Sequence, residues 1–412
     1  VIRILHSADW QLGARFKQFG KKAEALRESR LVTLRRALDL AKKHAVDAFL
    51  IAGDLFEDNQ VDETLVDSVI QIFSDFPTVS VFILPGNHDP MSGPEAVWNR
   101  KSFRSSPQNV RVLAEVGVQK LQENAFLLAS PLSQKLSTID PSLKLIELAA
   151  QVPAEAIKIG VTHGAPAIEG KHQPNDFPIA LNAASRAGLD YLALGHWHTW
   201  LADFDEGRMV MPGTPEPDQF ANESCGQVAL VEIDGPGKKA RVQALPVSTL
   251  DWRSLSFDFF SIEASRATLE QALNHLKPRA AQTVLRLTLV GNASPRAVDE
   301  LKGWIESATA TFFECQIVDS TKAMLGEAEL RDLQVRHPIL ARVLADINQL
   351  EILATGVTAS PISPADASAS PLTLSEAQAL LDSSKIKLSD LSPDFFAQLR
   401  SVTFQTLQEV SE

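Results

Sequence analysis

The chain has 412 residues, 45% of them apolar, which is enough to build the cores of two or three domains of ordinary size. Its 39 Lys and Arg against 51 Asp and Glu leave a net charge of −12, which excludes bulk electrostatic coating of nucleic acid or anionic membrane and leaves local patches. The two cysteines, Cys225 and Cys315, are too few for a disulfide framework, and no stretch reaches the roughly 18 apolar residues of a membrane span, so the expectation is a cytoplasmic protein without membrane contact.

In chain order, the short apolar run at 2–5 predicts a buried strand. Between 21 and 45, Leu26, Leu31, Leu34, Leu38 and Ala41 recur at helical steps and mark one face of a long helix. A strand at 49–52, a helix at 63–76 and strands at 79–84, 157–162 and 191–194 follow. This alternation predicts layered α/β architecture, and each strand runs into polar residues at its carboxyl end, where ligands collect in open α/β sheets. From about residue 200, short β segments at 208–211, 227–233 and 241–245 predict the closing of a sandwich. Strands at 255–259, 283–289 and 312–317 alternate with helices at 265–276 and 295–308, a compact α+β unit. The expected domains are therefore 1–250, 251–322 and a helical region at 323–412 broken by a Pro/Ser/Ala linker at 359–371. Near its end, Phe395, Phe396, Leu399, Val402, Phe404 and Leu407 form an apolar stripe, either core or a partner-binding face.

Five polar clusters stand at predicted strand ends: Ser7-Ala8-Asp9-Trp10-Gln11, Gly53-Asp54, Gly86-Asn87-His88-Asp89, His163-Gly164, and Gly195-His196-Trp197-His198. Their glycines let the backbone approach an ion or phosphate that a Cβ would obstruct. Carboxylate, amide oxygen and imidazole together form the mixed donor set of Mn²⁺, Fe²⁺ or Zn²⁺ sites, and two such ions about 3.5–4 Å apart would clamp a phosphate ester. Taken singly, a Gly-Asp pair is a turn and Gly-Asn-His-Asp an Asx-type turn. Their conjunction at successive strand ends is the signal. His6 reads as a structural imidazole, and Trp10, Trp197 and Trp200 as either base-stacking or wall residues.

The order of these motifs resembles the calcineurin-like metallophosphoesterases, and ADWQLG, AGDLFE, LPGNHDP and PGTPE look like the SbcD DNA-exonuclease branch with its YhaO-type relatives. The resemblance covers roughly residues 1–245. It implies an α/β fold, a two-sheet metallophosphoesterase core with a small α+β capping domain and a helical C-terminal segment. It also implies two divalent ions, Mn²⁺ first with Mg²⁺, Fe²⁺ or Zn²⁺ as alternatives. Asp54 would bridge them, Asp9 and His198 would bind the first, and Asn87, His163 and His196 the second. His88 would be the catalytic histidine, oriented by Asp89. The implied activity is phosphodiester hydrolysis in DNA by a water that the two ions activate. The implied partners are an SbcC-like coiled-coil ATPase, docked through about 327–412, and a second copy paired through helices near 62–76 and 94–104.

Two positions depart from the family pattern. Gln11 stands where the family has a histidine ligand, and an amide oxygen is a weaker ligand than imidazole for transition metals. The expectation is that Gln11 makes the first metal site loose or inactivates it. Glu57 stands where some members carry a histidine tied to exonuclease action. Two other readings stay open: a phosphodiesterase or phosphatase for nucleotides or other esters, and a catalytically weakened scaffold protein. Within 15–43, ten basic residues oppose three acidic ones, a local charge of +7 directly after the first motif that is either a phosphate-facing patch or a solvated helix face.

Overall fold

The structure, a computed structural model, describes residues 1–220, 224–259 and 261–323, together with Val335, Val343, Asp346, Ile347, Leu350 and Leu399. The expected linker lies outside the described residues, as does nearly all of the apolar stripe and the helical region around it. The chain divides into two units, Val1–Trp252 and Arg253–Glu412, each described by itself.

The first unit is built from strands β1 (Ile2–Ser7), β2 (Ala48–Ala52), β3 (Val81–Leu84), β4 (Val110–Val112), β5 (Gly117–Gln122), β6 (Ala125–Ser130), β7 (Ile157–His163), β8 (Tyr191–Gly195), β9 (Leu201–Phe204), β10 (Met209–Met211), β11 (Gln227–Ile233) and β12 (Arg241–Pro246). Its helices are α1 (Ala23–Lys43), α2 (Glu63–Ser74), α3 (Lys101–Arg104), α4 (Leu143–Ala149) and α5 (Ala183–Arg186). The strands form two six-stranded sheets, ordered β12-β11-β1-β2-β3-β4 and β5-β6-β7-β8-β10-β9. Strands β1 to β4 pair in parallel, as do β6, β7 and β8, so the loops that leave their carboxyl ends share one rim.

Both faces of these strands are covered, which is why segments such as Ala48–Ala52 read as continuous apolar runs. Alternate residues divide between two cores. Ala48, Leu50 and Ala52 join Ile2 and Ile4 against Leu127, Ile159, Val161 and Tyr191 of the second sheet. Phe49 and Ile51 instead join Leu34 and Leu38 of α1 and Val66 and Phe73 of α2. Behind the second sheet, Leu128, Leu192 and Leu194 pack with Leu145 of α4 and Ala184 of α5. The layers run α, β, β, α, the two-sheet α/β architecture expected. Helix α1 follows a 3-10 segment at Lys17–Lys22, and Lys42 and Lys43 in its last turn suit the negative end of the helix dipole.

Between the sheets His6 is fully buried, its Nδ1 2.8 Å from the Tyr191 hydroxyl and its Nε2 3.1 Å from the Leu194 carbonyl. Burial pushes its imidazole down to about 3, so it is a neutral tie from β1 to β8. Trp10 is also fully buried and donates from Nε1 to Ser7 Oγ, 3.0 Å away, which makes it core and removes it as a stacking platform. Trp197 and Trp200 are half-buried against the cores on either side of the second sheet.

Strand β13 (Asp251–Phe259) begins two residues before the boundary, and the second unit continues with α6 (Ile262–Leu276), β14 (Thr283–Ala293), α7 (Pro295–Ala308), β15 (Glu314–Asp319) and β16 (Lys322–Ala323), with β14 central and parallel to β15. Ser261 and Ser294 cap the two helices by accepting from Ala264 N and Ala297 N, and Pro295 sits in the first turn of α7. Leu269, Leu273, Leu285, Leu287, Leu301 and Ile305 make its core. Among the described residues no helix is long and apolar enough to cross a membrane.

Candidate active site

Strands β1, β2, β3, β7 and β8 each deliver one polar motif to the shared rim. The loops after β1 and β2 continue the parallel pairing beyond the strands: Asp9 N donates to Gly53 O and Gln11 N to Asp54 O, both at 3.1 Å, and Leu12 N donates to Leu55 O at 2.9 Å. This zipper turns Asp9, Gln11 and Asp54 inward, each with positive φ (55°, 45° and 54°). His196 is also held there, at φ 129°. Backbone strain of this kind costs about 1–3 kcal/mol per residue and persists only where the surroundings over-determine it.

The side chains converge. One ligand atom each from Asp9, Asp54 and His163 lies within 4.8 Å of the others, and all three residues are buried. Asp54 Oδ2 is 3.3 Å from His163 Nε2 and accepts from Gln11 Nε2 at 3.1 Å, while its Oδ1 accepts from His88 N at 2.9 Å. Asn87 Oδ1 lies 2.9 Å from both His163 Nε2 and His196 Nδ1. Both Asp9 oxygens accept from His196 N, at 3.0 and 3.1 Å. His198 joins through charge, acting on Asp9, and its Nδ1 is 2.9 Å from Asp218 Oδ2.

At two glycines the backbone of the rim has no room for a side-chain carbon. A Cβ on Gly53 would stand 2.1 Å from His163 Nδ1, and one on Gly86 would stand 2.1 Å from Asp54 Oδ1. Only glycine lets β2 and β3 pass this close to the ligand side chains.

These residues fit divalent metal. His163 Nδ1 donates to Ala52 O at 2.8 Å, and His196 Nε2 faces Asp176 Oδ1 at 2.8 Å, so in the neutral rings the lone pairs of His163 Nε2 and His196 Nδ1 point at each other, 3.4 Å apart, and at Asn87 Oδ1. Acceptors that meet in this way need a cation between them. Protons fill that role without metal: burial alone would lower the His163 imidazole, but the charge and hydrogen bond of Asp54, then Asp9, push it up to about 9. His198 also reaches about 9, against burial, through Asp218 and the charges of Asp9 and Asp54. Burial would raise the Asp54 carboxyl, but His163 and His88 hold it well below the usual range. For Asp9 burial prevails over His163 and His198 and raises it. Gln11 Oε1 is buried and without a hydrogen-bond partner among the described residues, which leaves it as a further oxygen that an ion could satisfy. Oxygen and imidazole donors of this mixture suit Mn²⁺, Fe²⁺ or Zn²⁺.

His88 is half-buried, with Nδ1 2.9 Å from the Glu57 carbonyl, to which it donates; this leaves Nε2 for a ligand. The expected pairing of Asp89 with His88 is not the arrangement found. Asp89 turns away and accepts from Phe56 N at 2.9 Å and Gly86 N at 2.8 Å, and burial, with Asp54 beside it, pushes its carboxyl up to about 7. It ties the β2 and β3 loops together, because a buried carboxylate satisfies itself on backbone N–H groups when they are nearest. Three further residues enter the site that sequence motifs did not single out. Asp176, from the long loop after β7, orients His196; nothing in its neighbourhood marks it. Asp218 orients His198 and follows PGTPE by two residues, a signal that was legible. Arg30, fully buried in α1, donates to the Trp10 carbonyl at 2.5 Å and stands 4.0 Å from Asp218.

A crossover α/β/β/α core with carboxylate, amide and imidazole donors gathered on one rim defines a metal-dependent phosphoesterase domain. Residues 2–200 match the calcineurin-like phosphoesterase family, and this part of the chain is a calcineurin-like metallophosphoesterase domain. It is similar to the uncharacterized metallophosphoesterase YhaO of Bacillus subtilis (strain 168), 23% identical over 334 residues that cover 74% of this chain and 76% of that protein. It is also similar to the SbcD component of the nuclease SbcCD of Rhodobacter capsulatus, 33% identical over 103 residues covering 23% of this chain and 24% of that protein. The SbcD component of the same nuclease in Escherichia coli (strain K12) is 33% identical over 119 residues, 28% of this chain and 27% of that protein. Both SbcD matches thus span about a quarter of those proteins.

Proposed function

We propose that this chain is a metal-dependent phosphodiesterase that cuts DNA, the nuclease component of an SbcCD-like complex, with the metal set Asp9, Gln11, Asp54, Asn87, His163, His196 and His198. The observation that carries the reading is the convergence of these donors around Asp54, whose Oδ2 meets Gln11 Nε2 at 3.1 Å and His163 Nε2 at 3.3 Å and whose Oδ1 accepts from His88 N at 2.9 Å. When bound, two divalent ions supply positive charge to phosphate oxygens and acidify the attacking water. The chain's own residues do the rest. Asp54 supplies negative charge that offsets repulsion between the ions. His88, fixed by the Glu57 carbonyl, presents Nε2 to a phosphate oxygen or to the departing oxygen, as a positioned donor.

Support for a nucleic-acid substrate comes from the segment after Gln11. Arg15, Lys17, Lys21, Lys22 and Arg27 are all exposed, and Arg27 donates to the Arg15 carbonyl at 3.3 Å, which gathers two of them at the start of α1. Such a patch neutralises several phosphates locally in a chain that is acidic on average. The proposed partners are DNA, an SbcC-like coiled-coil ATPase and a second copy of the chain; Mn²⁺ is the proposed ion. The placement of Gln11 against Asp54, with its Oε1 buried and without a hydrogen-bond partner among the described residues, favours a ligand role over an inactivating one, and so favours an enzyme over a scaffold.

The test is an assay of single- and double-stranded DNA and of a chromogenic phosphodiester with Mn²⁺. The expected result is DNA cleavage that chelation abolishes and that His88→Ala lowers about 10²–10⁴-fold while Mn²⁺ binding persists. Cleavage of the chromogenic ester alone would move the substrate to small esters, and cleavage of neither at saturating Mn²⁺ would refute the enzyme reading.

A further inference from the structure

Resting on the reading that the cluster holds divalent metal, we propose that Arg30 is a positioning residue for that centre: one buried guanidinium holds both the β1 loop that carries Asp9 and Gln11 and the Asp218 carboxylate that orients His198. Along the buried face of α1, Leu26, Leu34, Leu38 and Ala41 are apolar, and Arg30 and Thr33, three residues apart and so side by side, interrupt them. Both meet the segment after β10. Thr33 Oγ1 donates to the Glu216 carboxylate, which is itself buried and also accepts from Thr249 N at 2.7 Å and Leu250 N at 3.0 Å. That anchor fixes α1 two residues before Asp218 and sets where Arg30 can reach.

The guanidinium then makes two contacts with the site. Nη1 donates to the Trp10 carbonyl at 2.5 Å, between two donors whose backbone is held at positive φ, 55° at Asp9 and 45° at Gln11. The amides of Asp9 and Gln11 are taken by the β2 loop, so Arg30 completes the hold on this strained turn from its carbonyl side. Nη2 stands 4.0 Å from Asp218 Oδ2, the oxygen that faces His198 Nδ1 at 2.9 Å. Packing alone does not account for this residue. Its Cζ lies 5.3 Å from the centroid of the Phe16 ring, a contact that an apolar side chain would also make. Its Nε and Nη2 have no hydrogen-bond partner among the described residues, and a buried guanidinium left incompletely satisfied is a cost to stability rather than a gain. What the charge supplies is a counterion that keeps Asp218 in place behind an imidazole.

The experiment is calorimetric titration of the whole chain with Mn²⁺ alone, at a temperature where circular dichroism shows each variant folded. Arg30→Lys, which keeps the charge but cannot span both contacts, and Arg30→Gln, which loses the charge, should each weaken Mn²⁺ binding about 10–100-fold, as should Asp218→Asn. Arg36→Gln is the control. Arg36 Nη1, on the same helix, donates to the Ser248 carbonyl at 2.8 Å, a tie that does not reach the rim, so its loss should leave Mn²⁺ affinity unchanged. Arg30→Gln combined with Asp218→Asn should cost less than the product of the two single effects, because they share a route, whereas a general packing defect gives the full product. In the unsubstituted chain labelled with ¹⁵N-arginine, the Arg30 guanidinium resonances should shift when diamagnetic Zn²⁺ is added, a readout that needs no variant to fold. Unchanged Mn²⁺ affinity in a folded Arg30 variant, the full product in the double variant, or Arg30 resonances indifferent to metal would overturn the positioning role and leave the metal centre standing. Failure of the unsubstituted chain to bind Mn²⁺ at all would overturn both.

Discussion

Gly53→Ala isolates the demand that the site makes on the backbone. At φ +94° an alanine carries a strain of about 1–3 kcal/mol. Its Cβ would also stand 2.1 Å from His163 Nδ1, so the ring must retreat by about 1 Å to reach ordinary contact. That movement breaks the 2.8 Å bond to the Ala52 carbonyl and leaves a buried group unsatisfied, at about 1–3 kcal/mol more. It also withdraws Nε2 from Asp54 and Asn87. Gly93→Ala is the matched control: its φ is +118°, yet nothing lies within 4 Å of the added carbon. The assay is thermal unfolding with and without Mn²⁺. At a metal concentration near 100 times Kd, binding stabilises by about 2.7 kcal/mol, which for a unit of this size raises Tm by roughly 5–10 °C. Gly93→Ala should start lower and keep that rise, whereas Gly53→Ala should start lower still and lose most of it. A full Mn²⁺-induced rise in Gly53→Ala would refute the close-packed cradle.

Two further outcomes follow from buried groups. His6 is held to about 3 in the folded chain against an ordinary 6.5, so the unfolded chain takes up its proton first; the stability this provides is complete above about pH 6.5 and is lost as pH falls toward 3, to a ceiling of about 5 kcal/mol. His6→Gln should flatten that limb of the metal-free stability curve, and an unchanged slope would contradict the neutral cross-sheet tie. Asp89→Asn replaces one acceptor oxygen with an NH₂ group facing a backbone donor, so urea unfolding should show a loss of about 1–3 kcal/mol. A variant of full stability with only slower catalysis would restore the expected Asp89–His88 pairing.

The main buried strands and the five strand-end motifs were legible because both reduce to short patterns: apolar runs covered on two faces, followed by glycine and a donor. The edges were harder. Strand β5, Gly117–Gln122, is polar and largely half-exposed at the end of its sheet, so it has no buried face to leave a pattern. Strand β4 has three residues. In the site, Asp89 drew its expected role from adjacency to His88, but adjacent residues in a tight turn point in different directions and its carboxylate reached backbone amides first. Asp176 was invisible because its meeting with His196 depends on how a long loop returns to the rim. Of the ten basic residues between 15 and 43, Arg30 counts toward the charge of the patch yet lies inside the core, a difference that charge arithmetic does not register.

The His6–Tyr191 contact crosses between the two sheets, and so does the donor cluster, with Asp9, Asp54 and Asn87 on one side and His163, His196 and His198 on the other. Neither sheet owns a complete binding site. Small shear or splaying at the intersheet core would therefore register first as lost metal affinity, well before the protein unfolds. By the same linkage, bound ions would fasten the layers together like a rivet. Substitutions at deeply buried, chemically inert positions such as Val161 or Ala193 are then candidates for changing the metal dose at which this enzyme works, without touching a single ligand.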